Sequence, residues 1–561
     1  MCRLSALPVG ERACHNNIEG SVMKDFALWA EADWIAAIAA MVLGLFLLGG
    51  VYAVTRKEPE FGGHPKGLYM LFFAEMWERF SYYGMRALLI FYLTQHWLFN
   101  DGASNVIYGA YISLVYITPV LGGWLADKYL GQRKAVLFGA ILLTFGHFLM
   151  AFEGTGGQND PTINIFWLAL AFIIVGSGFL KANISVLVGQ LYPRTDVRRD
   201  GAYTIFYMGI NVGAAVGAIL AGYLGIIKGW EYGFGAAGLG MLFGLIVFVV
   251  GKPLLMGKGE PSQPLAKQTE MLVYGVGIVG VAVMWVLIQY QSLVGGLMLI
   301  AGAILLGYVL FEAFKLEKEP RERIFAALFL IALQPLFWGL FEQGGGSLNL
   351  FTNEYIDLQG VPAPIFQSIN PIYIILLAPV FAGLWTWLGR KGLEPSTPAK
   401  FGLGLVQLGF GFLVLVWGAA TVGIDAKIPV IFLFGIYLFH TTGELCLSPV
   451  GLSAMNRLSP KHLASLIMGA WFFATAGGGF VAGVIGSATG GEDGAMTREG
   501  ALDVYWTIGL IAIVVGIVVV LIGRFVAKYM HLDTLVDDTL EGASEAGLEA
   551  QEGGVHPATK A

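Results

Sequence analysis

Charged side chains occur inside a segment that is otherwise apolar enough to cross a membrane. The stretch EMWERFSYYGMR, residues 75–86, lies between GLYMLFF and ALLIFYL and carries four charges, on Glu75, Glu78, Arg79 and Arg86. A charge at the middle of a bilayer costs on the order of 2.5–3.5 kcal/mol, so such residues are kept where they face the inside of a helix bundle or a wet cavity. At about 100° per residue, all four project within about 80° of Glu75, together with Tyr82 and Tyr83. The spacing therefore predicts one inward face able to bind ions and exchange protons.

Three further charged residues lie in later apolar segments: Lys181, Glu342 and Glu444. The cations Arg79, Arg86 and Lys181 belong to the first half of the chain, whereas the two later glutamates belong to the second. A cavity between the halves would be positive on one side and negative on the other, which suits a small zwitterion with separated carboxylate and ammonium groups. The seven charges sum to one negative charge, so one bound proton would balance them. We therefore expect proton-coupled transport with the glutamates as proton carriers.

An internal salt-bridge network is the structural alternative for these charges. Glu75 and Arg79 are four residues apart, the spacing at which a carboxylate and a guanidinium on one helix can pair. Apolar residues, however, would pack helices at less cost than buried ion pairs do. Seven charges spread over four apolar segments consequently favour a functional site.

The rest of the chain has the composition of a membrane protein with many spans. Of 561 residues, 56% are hydrophobic and only 13% are charged, with a mean hydropathy of +0.70, which argues against a soluble enzyme. The 78 glycines suit helices that pack closely in lipid. Hydropathy predicts fifteen spans, near 34–54, 68–98, 104–126, 133–152, 163–190, 202–226, 231–251, 271–291, 294–314, 324–351, 365–389, 401–421, 428–456, 462–488 and 502–527.

The basic residues indicate how the spans are oriented. Most of the 33 lysines and arginines fall in loops that share one side if residues 55–67 are cytoplasmic, and short cytoplasmic loops are the ones that retain basic residues. The C-terminus is then predicted to be cytoplasmic. Span 34–54 is predicted to be a retained helix rather than a cleaved signal, because its basic residues follow the apolar run instead of preceding it.

Other classes of protein lack support in the sequence. A membrane-embedded enzyme is the main rival, but no G-x-S-x-G, H-E-x-x-H or Walker lysine motif is present. The three cysteines, Cys2, Cys14 and Cys446, have no paired spacing, so neither a disulfide frame nor a metal site is expected. No basic block suggests nucleic acid. A channel would also carry charges in the membrane, but it would conduct without saturation or exchange.

The stretch EMWERFSYYG resembles the ExxERFxYYG signature of the proton-dependent oligopeptide transporters, the POT branch of the major facilitator superfamily. The resemblance covers about residues 64–528 and continues through GGWLADKYLGQRK (122–134), GSGFLKANIS (176–185), FYMGINVG (206–213), FWGLFEQGG (337–345), FQSINP (366–371), GELCLSPVGLS (443–453) and MGAWFF (468–473). It implies an all-α integral membrane protein with the major facilitator fold, in which two six-helix bundles surround a central peptide site and give alternating access.

Bacterial members of that family carry two further helices between the bundles, and residues 271–291 and 294–314 match that pair. With the span at 34–54, the resemblance accounts for all fifteen predicted spans. The implied organisation is an N-terminal tail with an extra transmembrane helix (1–63), an N-terminal six-helix bundle (64–251), a linker with two inserted helices (252–321), a C-terminal six-helix bundle (322–528) and an acidic cytoplasmic tail (529–561).

The resemblance also implies roles for individual residues. Proton coupling falls to Glu75, Glu78, Arg79 and Glu342. Substrate binding falls to Arg79, Arg86, Tyr82, Tyr83, Tyr116, Lys181, Asn211, Trp338, Asn370, Glu444 and Trp471. Two gating salt bridges are implied, Arg86 with Glu342 and Lys181 with Glu444. Mammalian relatives have a histidine where this chain has Gly109, so proton transfer is expected to depend on carboxylates. His440, one turn before Glu444, is either a proton ligand or a structural residue.

The expected substrate is a di- or tripeptide, imported together with protons across the bacterial inner membrane. Another small solute, such as nitrate, a drug or an amino-acid derivative, is the alternative on the same fold. The expected partners are the peptide, protons and the lipid bilayer. No nucleic acid, metal or cofactor other than the coupling proton is expected, and no enzymatic activity.

Overall fold

The structure is a computed structural model that describes residues 60–193, 196, 198–261, 265–491 and 493–532. The predicted span at 34–54 lies outside the described residues, as does the predicted tail (529–561) from residue 533 onward. The described residues 60–66 belong to a unit separate from the rest, and in it strand β1 (Glu60–Phe61) pairs antiparallel with β2 (His64–Pro65). The second unit begins at Gly67 and holds the candidate site.

Helices make up nearly all of the described chain. In order they are α1 (Lys66–Phe91), α2 (Asp101–Leu125), α3 (Gln132–Leu149), α4 (Ile163–Gln190), α5 (Arg199–Ile227), α6 (Trp230–Gly251), α7 (Lys267–Gln289), α8 (Gln291–Phe314), α9 (Lys318–Phe341), α10 (Ser347–Tyr355), α11 (Ile369–Arg390), α12 (Thr397–Ala420), α13 (Ile431–Leu458), α14 (Ala464–Ala488) and α15 (Arg498–Tyr529). Two short strands, β3 (Ile356–Asp357) and β4 (Ile428–Pro429), pair in parallel.

The predicted all-α membrane fold is confirmed. Within the described residues, twelve helical segments are long and apolar enough to cross a membrane. Helices α1, with 26 residues, and α3, with 18, lie outside that set, since α1 carries the charged stretch and α3 has two basic residues in its first turn. Each of the fourteen predicted spans between 68 and 527 therefore corresponds to a long helix.

The loops define two ends of the bundle. We call the end at which α1 begins the basic end, because the Lys- and Arg-rich loops lie there. The end at which α1 finishes and α2 begins is called the opposite end. One hydrophobic core lies chiefly among α1–α6, the first half, and a second lies among α9–α15, the second half. The candidate site lies where these halves meet.

A break in the helix distinguishes α9 from α10, where one span was predicted at 324–351. Helix α9 ends at Phe341, and a tight 3₁₀ turn covers Glu342–Gly344 before α10 begins at Ser347. Gly346, the last of three consecutive glycines at 344–346, has φ −106° and ψ −114°, a combination that glycine tolerates better than other residues do. The break puts Glu342 at the end of a helix, where its carboxylate can reach the first half.

Hydrogen bonds between the halves close the opposite end. Asn349 on α10 donates a hydrogen bond to the Ala87 carbonyl on α1 (3.2 Å). The N–H of Gly102 on α2 donates to the Gly494 carbonyl in the loop before α15 (3.0 Å). These bonds tie helix ends of the first half to the second half, so the opposite end is sealed in this conformation.

Glycines also let α2 and α14 cross in direct contact at the opposite end. A Cβ placed on Gly109 would lie 2.5 Å from the Cα of Gly483 and 2.7 Å from the carbonyl oxygen of Gly479. Carbon atoms do not approach so closely without displacing their neighbours. Position 109 consequently has no room for a side chain in this conformation.

Replacing Gly109 by valine is expected to lower substrate uptake by about tenfold, because overpacking a tight contact costs roughly 1–3 kcal/mol. The side chain obstructs closure of the opposite end, whereas the two halves can still fold. Uptake into proteoliposomes and thermal unfolding of the purified variant would be measured together. Gly383→Val on α11, where nothing lies within 4 Å of the added carbon, is the matched control. Wild-type uptake by a folded Gly109→Val variant would contradict this prediction.

Candidate functional site

Helix α1 places three charges in one buried cluster. Arg79 Nε donates a hydrogen bond to Glu75 Oε1 (2.7 Å) and lies 3.3 Å from Glu78 Oε2. None of the three residues is more than 3% exposed. The pair predicted from the four-residue spacing is therefore present. Two carboxylates share one guanidinium, and the three charges sum to one negative charge.

Arg86 joins the two halves of the protein. Its Nη2 donates to Glu342 Oε2 (2.5 Å), and its Nε donates to the hydroxyl of Tyr108 (2.6 Å). The guanidinium also lies over the ring of Tyr83, 5.5 Å from its centroid. Both partners of the ion pair are buried. The predicted pairing of Arg86 with Glu342 thus occurs in the structure, where it spans the closed opposite end.

The chain leaves room for this ion pair by a close backbone approach. A Cβ on Gly345, three residues after Glu342, would lie 1.9 Å from the Tyr108 hydroxyl and 3.0 Å from Arg86 Nη2. Only a residue without a side chain allows that contact. Gly345 therefore makes room for the contact between Tyr108, Arg86 and Glu342.

Lys181 on α4 extends across the aromatic side of the site. Its ammonium lies 4.2 Å from the ring centroid of Tyr82 and 4.9 Å from that of Tyr116. A cation over an aromatic face is attracted by the ring quadrupole. Lys181 is 3% exposed. The structure thus brings together the lysine and two of the tyrosines that were predicted to line the site.

Glu444 on α13 is held by the amide group of Asn370 on α11. Asn370 Nδ2 donates to Glu444 Oε2 (3.0 Å) and lies at the same distance from Thr441 Oγ1. The other carboxylate oxygen, Oε1, is buried and has no hydrogen-bond partner among the described residues. A carboxylate with an open lone pair can accept a hydrogen bond from an ammonium group.

The second predicted gating pair is not formed in this structure. Within the described residues, no ion pair joins Lys181 to Glu444. The ammonium instead lies over Tyr82 and Tyr116, and Glu444 is bonded to Asn370. The other predicted pair, Arg86 with Glu342, is formed at the opposite end. Their pairing stays a prediction for a conformation in which the basic end is closed.

The predicted aromatic residues of the second half differ in their surroundings. Trp338 on α9 is nearly buried, and its Nε1 donates to Gln334 Oε1 (2.6 Å). Trp471 on α14 is fully buried, and a Cβ on Gly451 would lie 2.1 Å from its ring. Trp471 thus lies in the core of the second half in this conformation.

The predicted site residue Asn211 lies on α5 of the first half. Its side-chain amide donates a hydrogen bond to the carbonyl of Tyr207 on the same helix (3.1 Å).

His440 packs among aromatic rings. Its ring centroid lies 4.9 Å from that of Phe412 and 6.1 Å from that of Phe341. The Nε2 atom is buried without a hydrogen-bond partner among the described residues. These surroundings favour the structural alternative for His440.

Among the residues that the structure describes, no group of three or more His, Cys, Asp or Glu residues could hold a metal ion.

A comparison with protein families identifies the chain. The profile described as PTR2, POT family, matches residues 133–497, which is more than half of the sequence. The protein belongs to the POT family. The motif EMWERFSYYG and the charged cluster of α1 lie before the matched segment, so they support the assignment independently.

Relatives of this POT protein carry transporter names. The peptide transporter YePEPT from Yersinia enterocolitica subsp. palearctica is 37% identical over 76% of this chain and 88% of its own length. The di-/tripeptide transporter from Lactococcus lactis subsp. lactis is 31% identical over 85% of this chain and 99% of its own. Among solved structures, a mutant of peptide transporter POT in complex with alafosfalin has a TM-score of 0.75 and 35% identity, covering 84% of this chain and 97% of that one.

Three residues of this POT protein's site were missed by sequence reasoning. Tyr108 bonds Arg86, Thr441 bonds Asn370, and Gln334 bonds Trp338. Gln334 and Thr441 are polar residues in apolar helices, one turn or less from a predicted site residue, which was a usable signal. Tyr108 had no such signal, because its partner lies on another helix.

Proposed function

We propose that this POT protein imports di- and tripeptides together with protons by alternating access. One observation carries the proposal: three buried cations of the first half and two buried glutamates of the second half face one region lined by tyrosines. A small peptide has a carboxylate and an ammonium group that match these two sides. The names of the relatives, a peptide transporter and a di-/tripeptide transporter, support the same substrate class.

The two ends of the peptide would be recognised by opposite sides of the site. Glu444 has an open carboxylate oxygen beside Asn370, so the peptide's ammonium group is proposed to bind there. The peptide carboxylate is proposed to bind near Arg79 and Lys181. Hydrogen bonds to charged groups are stronger than those between neutral groups, so both charged ends of the peptide contribute to its recognition. Asn211 is assigned to the peptide backbone, and the side-chain pockets are assigned to Tyr82, Tyr83, Tyr116, Trp338 and Trp471.

Proton coupling is assigned to the carboxylates. The cluster of Glu75, Glu78 and Arg79 is one negative charge from neutrality, so it can take up a proton when substrate binds nearby. Glu342 can release Arg86 when it is protonated. One proton moved through roughly 100 mV supplies about 2.3 kcal/mol, and one pH unit adds about 1.4 kcal/mol. Together these amounts allow an accumulation of several hundredfold.

The gates are assigned to two ion pairs that form in turn. Arg86 and Glu342, which are paired in this structure, are proposed to close the opposite end. Lys181 and Glu444 are proposed to close the basic end after the halves have rotated. We assign the basic end and the C-terminus to the cytoplasm of a bacterial cell, with the protein in the inner membrane. The division into two bundles at 64–251 and 322–528 is proposed to define the moving bodies.

The test is uptake of labelled dialanine into proteoliposomes that contain the purified protein. Uptake would be measured with an inward proton gradient, without a gradient, and with a protonophore that collapses the gradient. Excess trialanine and excess nitrate would each be added as competitors. We expect accumulation that needs the gradient and is competed by trialanine but not by nitrate.

Two results would contradict the proposal. Competition by nitrate, or uptake of nitrate instead of dialanine, would assign another small solute to the same fold. Dialanine uptake that only equilibrates, with no dependence on the gradient, would remove proton coupling while keeping the substrate. Circular dichroism of the reconstituted protein shows that a negative result comes from a folded molecule.

A further inference from the structure

Helices α7 and α8 form a hairpin that lies beside the two halves and has no part in the site described above. They are joined by the single residue Tyr290 at the opposite end. Most of their large apolar side chains are exposed, as expected for helices at the lipid-facing side. The two helices pack against different halves of the protein, and this difference indicates a role for the hairpin.

Helix α7 is attached to the first half. Near the basic end, Glu270 pairs with Lys134 of α3 (2.8 Å). Further along, the ring of Tyr274 lies 4.9 Å from that of Phe138, and a Cβ on Gly277 would lie 2.6 Å from Phe138. Its buried valines belong to a cluster made otherwise of first-half residues. Polar and apolar contacts thus fix α7 to α3 and α4.

Helix α8 is attached to the second half along most of its length. A Cβ on Gly295 would lie 2.4 Å from Phe480, and one on Gly302 would lie 3.0 Å from Phe473, both on α14. Near the basic end, Val309 and Ala313 are buried in the second-half core. The ring of Phe314 lies 5.7 Å from that of Phe325 on α9.

The two helices meet each other only weakly. Helix α7 contacts α4 far more extensively than it contacts α8, and α8 contacts α14 and α9 of the second half and, to a smaller extent, α2 of the first. Ile288 and Val294, which flank Tyr290, are buried in the same core of the first half. The hairpin is therefore joined at the opposite end, and its two basic ends are fixed to different halves of the protein.

We propose that the α7–α8 hairpin is a strap whose legs, α7 and α8, each move with one half, so that the angle between the legs follows the transport cycle. The inference rests on the alternating access of the proposed function. When the opposite end opens and the basic end closes, the basic ends of the legs approach each other, and the turn at Tyr290 acts as the hinge. The strap thereby limits how far the halves can separate at the basic end.

The test measures distances between spin labels in the full-length protein, reconstituted in lipid. Cys2, Cys14 and Cys446 are replaced by alanine, and label pairs are introduced at exposed positions. The leg pair is Met271 on α7 with Phe311 on α8, both near the basic end. A reference pair, Trp124 with Leu393, reports the separation of the halves at that end. Control pairs within one body are Met271 with Ile141 of the first half, and Phe311 with Val514 of the second.

Distances are compared between the protein at neutral pH, the protein at acidic pH with dialanine, and the Glu342→Gln variant. In each condition that shortens the reference distance, we expect the leg distance to shorten by several ångströms and both control distances to stay constant. A constant leg distance together with a changing control distance would show that the hairpin moves as one body with a single half, which overturns the strap. A constant reference distance in every condition would overturn alternating access itself. The reference pair therefore distinguishes a failure of the strap from a failure of the proposed function.

The leg pair also allows a functional measurement. In a protein that carries Met271→Cys and Phe311→Cys, the two thiols are joined by a short, rigid bifunctional reagent or by a long, flexible one. We expect the short linker to abolish accumulation of dialanine, since it stops the legs from separating, and the long linker to leave it. Equal uptake with both linkers would contradict a strap whose opening accompanies transport.

Discussion

Replacing Glu342 by glutamine is expected to lower proton-driven dialanine uptake by about tenfold or more, since loss of one partner of a buried ion pair costs roughly 3–5 kcal/mol. The variant leaves the Arg86 guanidinium without a carboxylate across the closed opposite end, where both side chains are less than a tenth exposed. The closed state therefore loses stability relative to the state open at that end. Uptake into proteoliposomes and the accessibility of the site from the opposite end would be measured together.

Two further variants separate a gate from a general loss of stability. Glu312→Gln removes an ion pair with Lys315 at the surface of α8, and surface pairs contribute only about 0–1 kcal/mol. This control should retain uptake. The exchanged pair, Arg86→Glu with Glu342→Arg, should regain part of the activity if the two residues act as a gate. Normal uptake by a folded Glu342→Gln variant would show that this ion pair does not control the cycle.

Replacing Lys181 by alanine is expected to abolish accumulation driven by the proton gradient. Lys181 lies over Tyr82 and Tyr116 in the site and supplies one of the three cations that face the glutamates of the second half. Without it, the site loses a binding group for the substrate carboxylate and one partner of the proposed basic-end gate. Uptake would be compared with and without the gradient, and thermal unfolding would report the fold.

The matched control for Lys181 is another buried lysine that also lies over an aromatic ring. Lys400 on α12 is 4.4 Å from the ring centroid of Trp385 and pairs with Glu394 near the basic end, away from the proposed site. Lys400→Ala should keep gradient-driven accumulation. Lys181→Met keeps the apolar volume, so a loss in this variant as well assigns the effect to charge. Full accumulation by Lys181→Ala would show that the positive side of the site has been misplaced.

The sequence by itself determined the fold class and predicted most residues of the candidate site. Hydropathy is a local property, and a membrane segment must satisfy its backbone hydrogen bonds within its own helix, so span positions could be read from short windows. The inward face of α1 could be read for the same reason, because Glu75 and Arg79 are one helical turn apart and pair on their own helix. The high cost of charge in lipid then marked Lys181, Glu342 and Glu444 as functional candidates.

Only the tertiary structure decided which of these charges pair and what surrounds them. Arg86 and Glu342 are separated by 256 residues in the chain, and their contact depends on the helix break at Glu342 and on the space left by Gly345. The resemblance implied two gating pairs, but one conformation brings only one of them together. Tyr108 could not be found from the sequence, since nothing local marks it as the partner of Arg86.

The attachment of the hairpin was likewise decided by packing. Helices α7 and α8 are equally apolar stretches in the sequence, joined by one residue. Hydropathy measures only the affinity of a segment for lipid, so it cannot say which neighbour the segment will contact. Glycines placed opposite phenylalanine rings fix α7 to the first half and α8 to the second. Contacts between residues far apart in the chain arise from shape and volume, which only the folded structure specifies.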